Sequence, residues 1–205
     1  MTHTTDQEVF WSGDFGNEYV DRNSGASWVA ANTAFFSNII ARTQKLERVL
    51  ELGSNIGLNL MALRCLLPAE KLSAVEINEK AASVLRSNLP GVDLHVASVF
   101  DFQSDATWDL VFTKGVLIHI NPDKLPIFYE TMYRVSQRYL LVAEYYNPTP
   151  IEIMYRGHMG KLFKRDFAGE MLDKFPDLSL VDYGFIYHRD TNFPQDDMTW
   201  FLLEK

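Results

Sequence analysis

The stretch that most constrains this chain runs from Arg48 to Leu60, RVLELGSNIGLNL. Val49 to Leu52 form an apolar run rich in β-formers that stops at Gly53, and beyond Gly57 the apolar spacing of LNLMALRCLL predicts a buried helix. A turn this short between a strand and a helix needs positive φ or close backbone approach, and glycine supplies both because it lacks a Cβ. The segment therefore predicts strand, tight turn and helix, the repeating unit of an α/β fold, with room for a ligand across the turn.

The spacing of the turn narrows the ligand. A dinucleotide fingerprint would place a third glycine here to admit a pyrophosphate, and a phosphate loop would need Gly-Lys-Ser/Thr; neither is present. The turn instead reads Glu51-x-Gly53-x-x-x-Gly57, with small polar Ser54 and Asn55 inside it. A second strand and helix follow in KLSAVEINEKAASVLRSNL, and its strand ends at Glu76, 23 positions after Gly53. That offset is close to the roughly 20 residues at which such folds present a carboxylate to a ribose diol.

These two motifs together resemble class I S-adenosylmethionine-dependent methyltransferases. The resemblance implies a Rossmann-like, three-layer α/β/α domain around a seven-stranded, mostly parallel sheet with an antiparallel C-terminal strand. It implies S-adenosylmethionine as cofactor, S-adenosylhomocysteine as product, and no metal. Glu51, Gly53, Ser54, Asn55 and Gly57 are then expected at the amino acid end of the cofactor, Glu76 with Ile77 at the ribose, and Lys114 at the end of the fourth strand. Adenine is expected beyond the third strand, VDLHVASVF. The family's aspartate there is replaced by Ser98-Val99-Phe100, which leaves the amides of Val99 and Phe100 to read the base.

With 205 residues, 47% hydrophobic and 22% charged, the chain is long enough for one well-filled domain. A formal charge of −8 argues against a general affinity for nucleic acid, whose phosphates it repels. No apolar run reaches the roughly 20 residues that span a bilayer, and the opening MTHTTDQEVFWSGDFG lacks the regions of a signal peptide, so a cytoplasmic location without membrane association is expected. The single cysteine, Cys65, lies in an apolar helical run and is expected in the core.

Within 1–205 the divisions expected are a lid and helix over 1–45, a cofactor-binding core over 46–146, a substrate-side insertion over 147–168, and a C-terminal helix and hairpin over 169–205. Phe10, Trp11, Phe15 and Tyr19 suggest the lid, with Tyr19 and Arg22 closing over the cofactor and Arg22 holding its carboxylate through a bidentate pair. An amphipathic helix in SWVAANTAFFSNIIARTQKL follows. After the fourth strand, TKGVLIHI is similar to a motif of small-molecule methyltransferases that lies beside the methyl group, and there His119 is suited to accept a proton. Asn121 and Pro122 then open a helix.

The fifth strand ends at Tyr145. Beyond it NPTPIEIMYRGHMGKLFKRDF breaks the acidic background with Arg156, His158, Lys161, Lys164 and Arg165. Its prolines and glycines mark an irregular segment over the acceptor, offering Tyr155, Arg156 and His158 to a carboxylate or phosphate, with His158 a second base and Tyr155 a further catalytic group. His188 is placed where the last hairpin leaves the sheet. Across nearly the whole chain, FWSGDFGNEYVDRN, ELGSNIGLN, AEYYNPTP, YRGHMGKLFKRDF, DYGFIYHRD and NFPQDDMTWFLLEK resemble the methylases associated with pseudaminic acid biosynthesis. That resemblance implies a small, sugar-like, anionic acceptor methylated on O or N, bound through Tyr145, Arg156, Lys161 and Arg165. A protein or peptide methyltransferase and a non-catalytic cofactor-binding scaffold remain the alternatives; oligomeric state is left open.

Overall fold

A computed structural model of the protein describes residues 4–22 and 25–205. The chain begins with two short helices, α1 (Asp6–Ser12) and α2 (Asp14–Arg22), and a longer one, α3 (Ala26–Ile40). The α/β alternation then starts: β1 (Val49–Leu52), α4 (Leu58–Arg64), β2 (Leu72–Glu76), α5 (Glu79–Asn88), β3 (Asp93–Val96), β4 (Trp108–Lys114), α6 (Leu125–Val135) and β5 (Ser136–Glu144). A two-stranded ribbon, β6 (Ile151–Glu152) and β7 (Phe163–Lys164), interrupts it before α7 (Phe167–Lys174) and the closing strands β8 (Ser179–Ile186) and β9 (Met198–Glu204).

Seven strands make one sheet in the order β3-β2-β1-β4-β5-β9-β8. β3 to β5 are parallel, and β9 enters antiparallel between β5 and β8. β1 and β2 are buried at every position, and β4 and β5 at nearly all, which explains their continuous apolar runs: both faces of the sheet are covered. On one face Leu50, Leu52 and Val111 pack with Phe128 and Met132 of α6 and Met171 of α7. On the other, Val49 and Phe112 pack with Phe36 and Ile39 of α3, Leu60 and Leu63 of α4 and Leu85 of α5. The fold is the Rossmann-like, three-layer methyltransferase architecture.

Strand order reverses between β1 and β4, and their carboxyl ends open the crevice in which α/β sheets bind ligands. Two local expectations need correction. Cys65 is exposed, because α4 ends at Arg64 and the cysteine caps it on the outer side instead of continuing an apolar face. The segment read as irregular after residue 147 carries the β6–β7 ribbon, pinned by Ile153 N–H to Leu162 O and by reciprocal Tyr155–His158 backbone bonds, all at 2.9 Å.

Candidate active site

The turn after β1 is shaped by backbone. Gly53 has φ 81°, and a Cβ there would sit 2.7 Å from a Val116 methyl; Gly57 has φ 85° and opens α4. Between them Asn55 takes φ 48°, a left-handed conformation that asparagine tolerates better than most side chains. Its N–H donates to Glu76 Oε2 at 2.6 Å, while Glu76 Oε1 accepts from Asn78 N–H at 2.7 Å. Burial raises the Glu76 pKa, and the amides of Asn78, Asn55 and Ile77 work against that rise. A carboxylate has about four lone-pair sites, so these two bonds fix Glu76 and leave it able to accept from a diol.

Below the turn, Glu51 is fully buried and its Oε1 accepts from Asn59 Nδ2 at 2.6 Å. Its Oε2 has no partner among the described residues. Burial pushes Glu51 up and Lys114 down, each tempered by the other's charge. Lys114 lines the cavity at the end of β4 without a hydrogen-bond partner among the described residues. Next along, Glu144 closes the base of the TKGVLIHI turn, its carboxylate accepting from the amides of Val116 at 2.9 Å, Leu117 at 3.0 Å and Ile118 at 3.4 Å. Burial raises Glu144 to about 7 against those three donors.

Over this floor lies the lid. Thr5 caps α1 in a capping box with Glu8, and the same carboxylate reaches Ser98 Oγ at 2.6 Å, tying the lid to the loop after β3. Burial raises the Glu8 pKa, but bonds from Ser98, Thr4 and Thr5 together bring it below the ordinary carboxyl value. Asn78 carries a second tie: Oδ1 caps α5 through Ala81 N–H, while Nδ2 donates to Trp11 O and to Asn17 Oδ1. The β6–β7 ribbon completes the enclosure, with Gln7 Nε2 donating to Gly160 O at 2.8 Å and Lys161 Nζ to Asp6 O at 3.0 Å. The cavity beneath lid and ribbon measures about 280 Å³.

The wall facing the turn is aromatic. Trp11 packs 4.6 Å from His119, 5.3 Å from Tyr19 and 6.3 Å from Tyr155 between ring centres. His119 Nδ1 lies 2.6 Å from Lys161 O; a carbonyl can only accept, so Nδ1 carries the proton and Nε2 keeps its lone pair. Burial lowers His119 to about 4, so the ring is neutral at physiological pH. Tyr145 donates to Asp196 Oδ2 at 3.0 Å. Burial, with the charge of Asp196 among its neighbours, pushes Tyr19 up to about 12.

The structure therefore brings Tyr19, Gly53, Ser54, Asn55, Glu76, Ile77, Val99, Phe100, Lys114, His119, Tyr145 and Tyr155 to one cavity. It does not bring the others. Glu51 and Gly57 lie behind the turn and shape it. Arg22 pairs with Glu18 at 3.3 Å, one helical turn away, and rests over Phe15, outside the lining. The Phe100 amide already donates to Ser98 Oγ at 3.2 Å, whereas the Val99 amide has no partner among the described residues. His158 is exposed outside the lining, its ring packed on Phe10 and Phe15. Arg165 is held by Glu170 at 2.7 Å, Lys161 by the lid carbonyl, and His188 by Asp197 at 2.8 Å. Arg156, with φ 49°, stands at the exposed tip of the Tyr155–His158 turn with its guanidinium over Tyr155.

Sequence reasoning passed over Gln7, Glu8, Asn78 and Asp196. The Thr5-x-x-Glu8 capping box was visible as a pattern. Asn78 was legible as a helix start, but its contacts with the lid, like those of Gln7 and Asp196, are made only in the fold.

Residues 49–138 match a family model described as a methyltransferase domain. Similar solved structures include CalS10, an amino pentose methyltransferase from Micromonospora echinaspora involved in calicheamicin biosynthesis, bound to S-adenosylmethionine: 13% identity, 93% of this chain and 95% of that one, TM-score 0.65. Magnesium protoporphyrin IX methyltransferase (ChlM) from Synechocystis PCC 6803, with bound S-adenosylhomocysteine, aligns at 12% identity over 98% and 100% of the two chains, TM-score 0.69. DhpI, in complex with S-adenosylmethionine and HEP, aligns at 16% identity over all of both chains, TM-score 0.65. No curated protein sequence matches the chain. Residues 49–138 thus carry a methyltransferase domain, and it is set in the fold that these solved structures share.

Proposed function

We propose that the chain methylates an oxygen or nitrogen of a small, polar, sugar-like acceptor bearing an anionic group, such as a nonulosonic acid sugar or its precursor, as a methylase associated with pseudaminic acid biosynthesis. We place the reaction in the cytoplasm and assign it no metal. One observation carries the acceptor's size: lid, ribbon and sheet enclose the cavity on three sides, which favours a small molecule over a protein side chain presented on a folded surface.

The residues present fit the cofactor. Glu76 has acceptor capacity for the ribose hydroxyls, Val99 lines the cavity with an amide that has no partner among the described residues, and Lys114 is a cavity cation with no hydrogen-bond partner among the described residues, suited to the carboxylate of the amino acid end. S-adenosylmethionine supplies a methyl group on a sulfonium, a leaving group that is already activated. The protein's part is then alignment and exclusion of water, worth up to roughly 7–11 kcal/mol where geometry is good. Trp11, Tyr19 and Tyr155 present rings to a cationic centre, at about 0.5–2 kcal/mol each. His119 Nε2 accepts a proton if the acceptor is a hydroxyl. Arg156, at the rim beside Tyr155, and Lys164, over the Tyr145 ring, are the ribbon cations left for an acidic group on the acceptor.

Incubating lysate metabolites with the protein and a donor carrying a deuterated methyl group tests this by mass spectrometry. Gain of one labelled methyl on a sugar acid or its precursor is the expected result. Label in the protein fraction would favour the peptide reading, and no transfer despite tight binding of S-adenosylhomocysteine would favour the scaffold.

A further inference from the structure

We infer that the acceptor atom is the nitrogen of an amine and that Asp196, in the loop between β8 and β9, is the residue that selects it. The inference rests on the reading above that the methyl donor binds at Glu76.

The acceptor wall offers electrons and asks for donors. Asp196 lines the cavity; its Oδ2 takes the Tyr145 proton and its Oδ1 has no partner among the described residues. With its proton committed, the Tyr145 oxygen is itself an acceptor. His119 turns its N–H to Lys161 O and presents only a lone pair. Trp11, Tyr19 and Tyr155 add ring faces, which attract cations. Of the cations nearby, Arg165 is engaged on Glu170, Lys161 on Asp6 O and His188 on Asp197; Lys164 lies over the Tyr145 ring, Arg156 over Tyr155 at the rim, and Lys114 at the end of β4 within reach of the Asp196 charge.

Asp196 is exposed, but both of its neighbours are held: Asp197 accepts from the His188 backbone N–H at 2.9 Å and from its ring, and Gln195 is buried. An ammonium group has three donors, and Asp196 Oδ1, the Tyr145 oxygen and the His119 lone pair are acceptors that this lining offers. The amine loses one proton to bulk water before the site closes. The nitrogen lone pair then forms the N–C bond while the C–S bond breaks with its electrons on sulfur, and positive charge moves from sulfur to nitrogen. Asp196 faces that developing charge, where a fixed opposite charge has most effect.

Calorimetry on the full chain saturated with S-adenosylhomocysteine tests the assignment, with a panel of aminohexoses and their N-acetyl counterparts as probes. At least one amine should bind the wild type about 10- to 100-fold more tightly than its N-acetyl form, as expected for a charge-assisted hydrogen bond. Asp196→Asn should abolish the preference and leave S-adenosylhomocysteine affinity unchanged. Amines that bind no better than their N-acetyl forms, or do not bind, or a preference that survives Asp196→Asn, would overturn the inference. Failure of S-adenosylhomocysteine itself to bind would instead overturn the donor site on which it rests.

Discussion

The two halves of the cavity are built by different means. The donor half is local: Gly53, Asn55 and Gly57 set the turn, and Glu76 is held by amides no more than 21 positions away. The acceptor half is assembled from contacts spanning most of the chain, Gln7 to Gly160, Lys161 to Asp6, Glu8 to Ser98 and Tyr145 to Asp196. Its elements are short helices, a two-residue ribbon and a loop, which have little stability alone. The donor half is therefore expected to stay formed when the acceptor half loosens, and not the reverse.

The sharpest test of that asymmetry is Glu76→Ala, which removes the diol acceptor and unpairs the Asn55 and Asn78 amides. S-adenosylhomocysteine affinity should fall about 100-fold or more by calorimetry; unchanged affinity would undo the division. His119 comes next, because its folded pKa of about 4 lies below its ordinary 6.5. The unfolded chain takes up that proton first, so stability present above pH 6.5 is lost as the pH falls toward 4, by up to about 3 kcal/mol. Denaturant titrations across this window should show the loss in the wild type and much less of it in His119→Gln.

Glu8 is lowered as well, although burial opposes the shift and hydrogen bonds to its charged form produce it. A carboxyl lowered in the folded state stabilises above its ordinary value of 4.5 and ceases to do so as the pH drops through the lower folded value. Glu8→Gln should cost the lid about 1–2 kcal/mol at neutral pH, seen as faster amide exchange in α1 with β1 and β2 still protected. Equal loss of protection in both halves would show them to be one cooperative unit. Arg22→Ala should do least, under about 0.5 kcal/mol and with no change in donor affinity, since the side chain is exposed and pairs within its own helix. A tenfold loss of donor binding would return Arg22 to the cofactor carboxylate.

The same contrast explains what could be read beforehand. Sheet, turn and Glu76 were legible because strand burial, glycine spacing and strand-end carboxylates leave marks in contiguous residues. The acceptor wall was half legible. Tyr19, His119, Tyr145 and Tyr155 announced themselves by type and position, but whether a charged side chain points inward depends on its partner. Arg165 has Glu170 and His188 has Asp197, so cations expected around the acceptor are spent outside it, and Arg22, expected on the cofactor carboxylate, has Glu18. Asp196 was hidden within an acidic turn, and only the fold distinguishes it from Asp197 beside it.

Lys161 serves two masters through its two ends: its carbonyl fixes which imidazole nitrogen of His119 carries hydrogen, and its ammonium grips the first turn of the lid. Swinging the lid aside would pull on that residue and release the ring to flip or to wet. The chain would thus hold that imidazole in its present orientation only while the lid contact is made, so that ring and lid move together.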